Sequence, residues 1–218
     1  MAYAFNLFGA KLYTFVDTAY LNGRDPGELT RQLCAGGSDL IQLRAKGFAE
    51  VEVLALANKL VPIADAAGVP LVINDFPKVA LQTGAQFCHL GQEDFFDCGY
   101  RTARDIWGES KAIVPKLGLS THTPNQAQRA LAAVPAYIAI GPVFATPTKP
   151  GAIAVTLDYV RWASANVNIP WFAIGGINLS NIDQVLEAGA TRICVVSAIL
   201  NTVDIALACK RFRAKLGA

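Results

Sequence analysis

Residues 137–149 read YIAIGPVFATPTK. The segment begins with a run of apolar residues and ends in two hydroxyls and an amine, on Thr146, Thr148 and Lys149. A near-continuous apolar run of this length is typical of a strand buried on both faces, as in a parallel sheet covered by helices. Hydroxyl and ammonium groups directly after such a strand can bind an oxyanion. The segment therefore indicates a parallel α/β fold with an anion site at a strand end.

Further short apolar runs alternate with helix-period segments along the whole chain. Asp25 and Thr123 precede prolines and are predicted helix N-caps, whereas Gly36, Gly84 and Gly189 stand where helices should end. The eight predicted strands cover residues 11–16, 40–44, 71–74, 87–90, 112–117, 137–141, 171–174 and 192–196. Eight strands, each with a helix and no Pro-rich or Gly/Ser-rich linker, predict a single (β/α)8 TIM-barrel domain over residues 1–218, rather than an open doubly wound sheet.

The composition favours small molecules as partners. The net charge of +2 is spread along the chain, without the basic stripe that nucleic acid requires, and no apolar stretch is long and unbroken enough to span a membrane. Five cysteines, an odd number without C-x-x-C spacing, argue against a disulfide framework or a structural zinc site. We expect no signal peptide and a cytoplasmic location. No sequence feature specifies an oligomeric state.

Polar residues gather where the predicted strands end. One such residue is more often a helix cap or a solvated turn, but seven strand ends share the property. Because barrel enzymes place their chemistry at the C-terminal ends of the strands, these residues are expected to form one site. They are Gln42, Arg44, Lys46, Asn74, Asp75, Gln92, Asp94, Ser120, His122, Thr146, Thr148, Lys149, Gly175, Gly176 and Ser197.

Two strand ends predict a monophosphate site. Gly175-Gly176 follows the seventh strand, and Val196-Ser197 ends the eighth. In many barrel proteins, backbone N–H groups of the last two loops bind a phosphate, helped by a helix N-terminus.

Other strand ends predict a metal and a more highly charged anion. Asp75 and Asp94 supply the hard oxygen ligands that Mg²⁺ prefers, although either could instead serve a helix N-terminus. Arg44, Lys46 and Lys149 add three cations to the same rim. This charge exceeds the need of a monophosphate and suits a diphosphate leaving group, which must be neutralised as its bond breaks.

The two histidines have different expected roles. His89 lies within an apolar strand, so we interpret it as a packed or supporting residue, whereas His122 could act as an acid or base at the rim. We find no Ser-His-Asp arrangement or nucleophile elbow, which argues against covalent catalysis.

The chain resembles the thiamine-phosphate synthase family, which is related to thiazole tautomerase, from about residue 12 onwards. Seven motifs carry the resemblance, in the family's order. They are QLRAK (42–46), IND (73–75), HLGQED (89–94), GLSTHT (118–123), GPVFATPTK (141–149), AIGGI (173–177) and VVSAI (195–199).

The resemblance implies a reaction and a set of roles. The enzyme would join 4-amino-5-hydroxymethyl-2-methylpyrimidine diphosphate to a thiazole ethyl phosphate, giving thiamine phosphate and pyrophosphate. It implies diphosphate contacts at Arg44, Lys46, Asn74 and Lys149, with catalytic roles for these three cations and Ser120. Mg²⁺ would bind Asp75 and Asp94, and Gln42 with Ser120 would orient the pyrimidine. Thiazole phosphate would contact Thr146, Thr148, Gly176, Val196 and Ser197.

Two features depart from the family pattern. Phe76 stands where family members commonly have arginine, and the interval from Asp94 to Ser120 is longer than usual, with an irregular segment expected at residues 95–110. The alternatives are a thiazole tautomerase with His122 as its acid/base, a phosphosugar isomerase or epimerase, and a protein that binds thiazole or thiamine phosphate without turnover. The paired carboxylates and the Thr-x-Thr-Lys end favour the synthase.

Overall fold

The computed structural model describes residues 5–108, 113–146 and 154–217. Eight parallel strands pair in chain order and close into a barrel, β1 with β8, so the predicted (β/α)8 fold is confirmed. The strands are β1 Leu12–Asp17, β2 Leu40–Arg44, β3 Leu71–Asn74, β4 Phe87–Gly91, β5 Lys116–Thr121, β6 Tyr137–Ile140, β7 Trp171–Ala173 and β8 Ile193–Cys194.

Helices follow every strand within these described ranges. They are α1 Pro26–Ala35, α2 Glu50–Ala66, α3 Pro77–Thr83, α4 Gln92–Asp97, α5 Pro124–Ala132, α6 Thr156–Asn166, α7 Ile182–Glu187, α8 Ser197–Leu200 and α9 Ile205–Lys215. The prediction of one helix per strand is wrong after β8, where α8 and α9 both occur. Asp204 explains the division, because its carboxylate accepts a hydrogen bond from Leu207 N at 2.8 Å and starts a separate helix.

The predicted helix ends are confirmed where the caps were named. Asp25 accepts a hydrogen bond from Glu28 N at 3.0 Å, and Thr123 accepts one from Gln126 N at 3.2 Å. Gly84 ends α3 with φ +69°, a left-handed conformation that glycine adopts without steric cost.

The fifth strand was predicted four residues too early. It covers Lys116–Thr121 instead of residues 112–117, so Ser120 lies within the strand instead of following it. Gly118 lies within the strand, where a Cβ would overlap the ring of Tyr137 on β6. The Tyr137 ring therefore requires a glycine at this position, and sequence periodicity does not reveal such a contact between neighbouring strands.

Aromatic side chains fill the barrel below the C-terminal rim. Tyr13, Tyr137 and Phe172 are buried, with ring centroids 5.3–5.9 Å apart and planes nearly perpendicular. Burial of such a ring contributes about 1.5–3 kcal/mol, so this layer both stabilises the barrel and closes its interior. A ligand must therefore bind above the layer, at the rim.

The connection after β4 is irregular, as expected, as far as residue 108. After α4 the chain forms turns, in which Asp105 accepts hydrogen bonds from the backbone N–H groups of Arg101 and Thr102 at 2.7 and 2.8 Å. Phe76, the departure from the family pattern, packs against the hydrophobic core. Within the described ranges, no helix combines the length and apolar character needed to cross a membrane.

Candidate active site

A cavity of about 300 Å³ opens at the C-terminal ends of the strands. Nearly all the predicted site residues line it, and they come from seven strands or the segments that follow them. They are Gln42, Arg44, Lys46, Asn74, Asp75, Asp94, Ser120, His122, Thr146, Gly175, Gly176, Val196 and Ser197. Thr148 and Lys149 lie outside the described residues. Gln92 does not join this set; it is buried at the start of α4.

Arg44 is held at the rim by a carboxylate below it. Arg44 Nη1 donates to Asp17 Oδ2 at 2.8 Å, and the two residues are register partners on β1 and β2. The Asp17 side chain is only 1% exposed, whereas that of Arg44 is 19% exposed and lines the cavity. Since a buried carboxylate is costly without a cation, Asp17 fixes the position of the arginine and requires its charge.

Lys46 forms an ion pair with Asp75 across the ends of β2 and β3. Asp75 has φ +67°, in the left-handed region that aspartate tolerates better than most residues, and its N–H donates to His89 O at 2.9 Å. This turn directs the carboxylate towards the cavity, which Asp75 lines.

The charges of the described cavity lining do not by themselves favour a polyanion. Arg44 and Lys46 face three carboxylates, Asp75, Glu93 and Asp94. Glu93 accepts a hydrogen bond from Gln126 at 3.1 Å. A diphosphate would meet more negative than positive charge here, so its binding would require an added cation.

Asp75 and Asp94 fit a divalent cation with few protein ligands. Both carboxylates line one cavity, and they come from the ends of neighbouring strands. No group of three or more His, Cys, Asp or Glu residues suited to a metal ion occurs in the part of the chain that the structure describes. Two carboxylates suffice for Mg²⁺, which usually retains water and takes phosphate oxygens as its other ligands.

The opposite side of the cavity is formed by a glycine loop. Gly175 and Gly176 have φ +101° and +65°, and a Cβ on either would overlap the chain at Pro142 or Phe144. Backbone hydrogen bonds from Val143 N to Ile174 O (2.8 Å) and from Phe144 N to Gly175 O (3.1 Å) join the two loops. Only glycine permits this close approach of the two loops, and both glycines line the cavity.

Hydroxyl and backbone groups complete that side. Val196 and Ser197 line the cavity where β8 leads into the four-residue helix α8, and Thr146 lines it from the loop after β6. A short extra helix after β8 is a recurrent phosphate-binding feature of barrels. Among the described residues, the cavity thus has a charged side, at β2 to β4, and an uncharged polar side, at β6 to β8.

A hydrogen-bonded relay of five side chains lies at the floor of the cavity. Gln42 Nε2 is 2.5 Å from the Tyr13 hydroxyl, which is 2.9 Å from the Tyr137 hydroxyl. His89 Nδ1 lies 3.0 Å from the Tyr137 hydroxyl, and His89 Nε2 lies 2.7 Å from Ser120 Oγ. The relay therefore connects Gln42 with Ser120, the two residues expected to orient the pyrimidine.

Burial keeps His89 neutral. Desolvation lowers the pKa of its imidazole to about 4, although the charge of Asp75 acts in the opposite direction. The prediction of a packed or supporting histidine agrees with this environment. His122, by contrast, lies at the rim. Its Nδ1 contacts Gly141 O, and its backbone N–H donates to Gln126 Oε1 at 2.7 Å.

We expect His89 to make stability pH-dependent. Its imidazole binds a proton near pH 6.5 in the unfolded chain but only near pH 4 in the folded protein. As the pH falls, the unfolded state therefore binds this proton before the folded state does. The free energy of unfolding should fall by about 2 kcal/mol between pH 7 and pH 5 because of His89 alone. Urea titrations of the wild type and His89→Gln at both pH values test this. The variant should lose less unfolding free energy between pH 7 and pH 5 than the wild type, and equal losses would contradict the prediction.

Sequence reasoning missed three residues of the site. Asp17 ends β1, the one strand whose end had not been considered, and the same rule would have found it. Tyr13 and Tyr137 fall within predicted strands, and their hydroxyls gave no signal, because the two residues meet only in the closed barrel.

Fold and site together define a (β/α)8-barrel protein with one cavity at the C-terminal ends of its strands. The chain belongs to the thiamine monophosphate synthase family, whose model matches residues 12–199. It is 45% identical to a thiamine-phosphate synthase of Thermus thermophilus over 188 residues, which cover 86% of this chain and 87% of that protein.

Two further relatives agree with this membership. A thiamine-phosphate synthase of Acidothermus cellulolyticus is 43% identical over 216 residues, covering 98% of each chain. The solved structure of thiamine phosphate pyrophosphorylase from Pyrococcus furiosus superposes with a TM-score of 0.79 at 26% identity, covering 95% of this chain and 96% of that one.

Proposed function

We propose that this protein is a thiamine-phosphate synthase that joins 4-amino-5-hydroxymethyl-2-methylpyrimidine diphosphate to thiazole ethyl phosphate. The observation that carries the proposal is the two-sided cavity, with charged groups around Arg44 and Asp75 on one side and the Gly175-Gly176 loop on the other. A reaction between a diphosphate and a monophosphate needs both sides. Family membership supports the same reaction.

The residues suggest a dissociative substitution. The C–O bond breaks and its electron pair leaves with the diphosphate, so a pyrimidinylmethyl cation forms; the lone pair of the thiazole nitrogen then makes the new C–N bond. Arg44 and Lys46 would stabilise the departing anion, with Asn74 as a further hydrogen-bonding group. Lys149 is proposed for the same task from its place in the sequence.

Asp75 and Asp94 would hold Mg²⁺, which when bound neutralises negative charge on the diphosphate. The excess of carboxylates in the described lining supports this assignment. Lys46 is paired with Asp75 in this structure. If a metal ion took the Asp75 carboxylate, the Lys46 ammonium group would become available to the substrate.

The uncharged polar side would receive the thiazole phosphate. Thr146 and Ser197 offer hydroxyls, while Gly176 and Val196 offer backbone groups at the same rim. Thr148 is proposed for the same task from its place in the sequence. A monophosphate can be bound by such groups without a paired cation.

We expect Ser197→Ala to weaken capture of thiazole phosphate. Losing a hydrogen bond to a charged group costs about 1.5 kcal/mol, so the KM for the thiazole should rise about tenfold while kcat and the KM for the pyrimidine diphosphate stay within about twofold. Steady-state kinetics with each substrate varied in turn measures this. Ser164→Ala, at an exposed position on α6, is the matched control. A fall in kcat alone would contradict the assigned role.

The reaction is tested by incubating the pure protein with both substrates and Mg²⁺ and measuring pyrophosphate and thiamine phosphate. Formation of both, abolished by EDTA and restored by Mg²⁺, supports the proposal. Conversion of the thiazole isomer alone would indicate a tautomerase, and binding without product would indicate a sequestering protein. Either result would refute the synthase.

A further inference from the structure

The relay from Gln42 to Ser120 has a direction, which follows from counting its hydrogens. Gln42 donates through Nε2, so the Tyr13 hydroxyl accepts there and gives its own hydrogen to Tyr137. The Tyr13 hydrogen already lies between the two tyrosine oxygens, so the buried Tyr137 hydrogen takes His89 Nδ1 as its acceptor. With Nδ1 an acceptor, the ring hydrogen is on Nε2 and is donated to Ser120 Oγ.

The direction determines what the two ends present to the cavity. The Ser120 hydroxyl accepts from His89, so its single hydrogen is available to a ligand. Gln42 uses an N–H in the relay, so its carbonyl oxygen remains as an acceptor. Gln42 and Ser120 both line the cavity.

We propose that Tyr13, Tyr137 and His89 are positioning residues that fix Ser120 as a hydrogen-bond donor and the Gln42 carbonyl as an acceptor. The ligand that satisfies both is a ring with an acceptor nitrogen and an exocyclic amine. An aminopyrimidine has both groups, whereas its oxo counterpart, with a ring N–H beside a carbonyl, has the opposite polarity. This inference rests on the proposed function and adds the basis of its selectivity for the amino group.

Tyr137 is the best position for a test. It is fully buried and is not among the residues that line the cavity, so a change there reaches the ligand through the relay. Tyr137→Phe keeps the ring in its packed layer but removes the hydroxyl that joins Tyr13 to His89. The donor role of Ser120 and the acceptor role of the Gln42 carbonyl are then no longer fixed by the relay.

We expect Tyr137→Phe to raise the KM for the aminopyrimidine diphosphate about tenfold, with the KM for thiazole phosphate unchanged. Its preference for the amino over the oxo analogue should fall by a similar factor. Tyr159→Phe is the matched control, because it also loses a buried hydroxyl contact, 2.7 Å to Thr121, but outside the relay. An unchanged amino-to-oxo preference in active Tyr137→Phe would overturn the proposal.

Nitrogen-15 NMR of labelled histidine tests the direction in the wild-type protein without substrates. The chain has two histidines, and His122→Asn assigns the remaining signal to His89. A protonated Nε2 with a bare Nδ1 is the expected tautomer, and the reverse would overturn the proposal even if Tyr137→Phe failed to fold. The expected tautomer in a protein that makes no thiamine phosphate would contradict the proposed reaction and leave the relay intact.

Discussion

Asp94→Asn should lower turnover by about a hundredfold or more while leaving the fold intact. Asparagine keeps the shape of the side chain but lacks the negative charge that a divalent cation requires, and a weakened metal site no longer neutralises the diphosphate. Asp94 is exposed at the start of α4, so little packing is lost. Steady-state rates at several Mg²⁺ concentrations and a thermal melt measure the two effects.

Asp97→Asn is the matched control for this change. Asp97 is exposed on the same helix but does not line the cavity, so the variant should retain wild-type activity and the same response to Mg²⁺. Full activity of Asp94→Asn at limiting Mg²⁺ would refute the metal assignment. A large drop in its melting temperature would show a structural role instead.

Arg44→Met should impair both stability and catalysis. The substitution leaves Asp17 buried without its cation, which costs about 3 kcal/mol of unfolding free energy. It also removes the positive charge that would stabilise the departing diphosphate, so kcat/KM should fall by about a hundredfold. Urea titration and steady-state kinetics measure these losses separately.

The double variant Asp17→Asn/Arg44→Met separates the two effects. Asparagine removes the buried charge and can still accept the hydrogen bond from Ala19 N, which Asp17 accepts at 3.0 Å. Most of the lost stability should return, but the activity should not. Recovery of both would show that Arg44 acts only on the fold, and recovery of neither would contradict the buried-charge explanation.

Much of the architecture could be predicted because local signals agree with the fold. Apolar runs, N-caps such as Asp25 and helix ends such as Gly84 all indicated the same alternation of strands and helices. The site residues were predictable for a related reason, since the carboxyl ends of all strands in a parallel barrel meet at one rim.

The errors occurred where distant residues determine the local structure. Gly118 belongs to β5 because the ring of Tyr137 occupies the space of a side chain, and this contact between β5 and β6 has no local signature. The relay was missed for the same reason. The hydroxyls of Tyr13 and Tyr137, 124 positions apart in the chain, meet only once the barrel closes.

The charged side of the cavity can be examined directly by crystallography with pyrophosphate and Mn²⁺, whose anomalous scattering marks the metal position. We expect Mn²⁺ bound by Asp75 and Asp94, with the pyrophosphate between the metal and the side chains of Arg44 and Lys46. Metal and anion bound elsewhere, or pyrophosphate bound equally well without any divalent ion, would contradict the proposal that protein and metal charges together release the diphosphate.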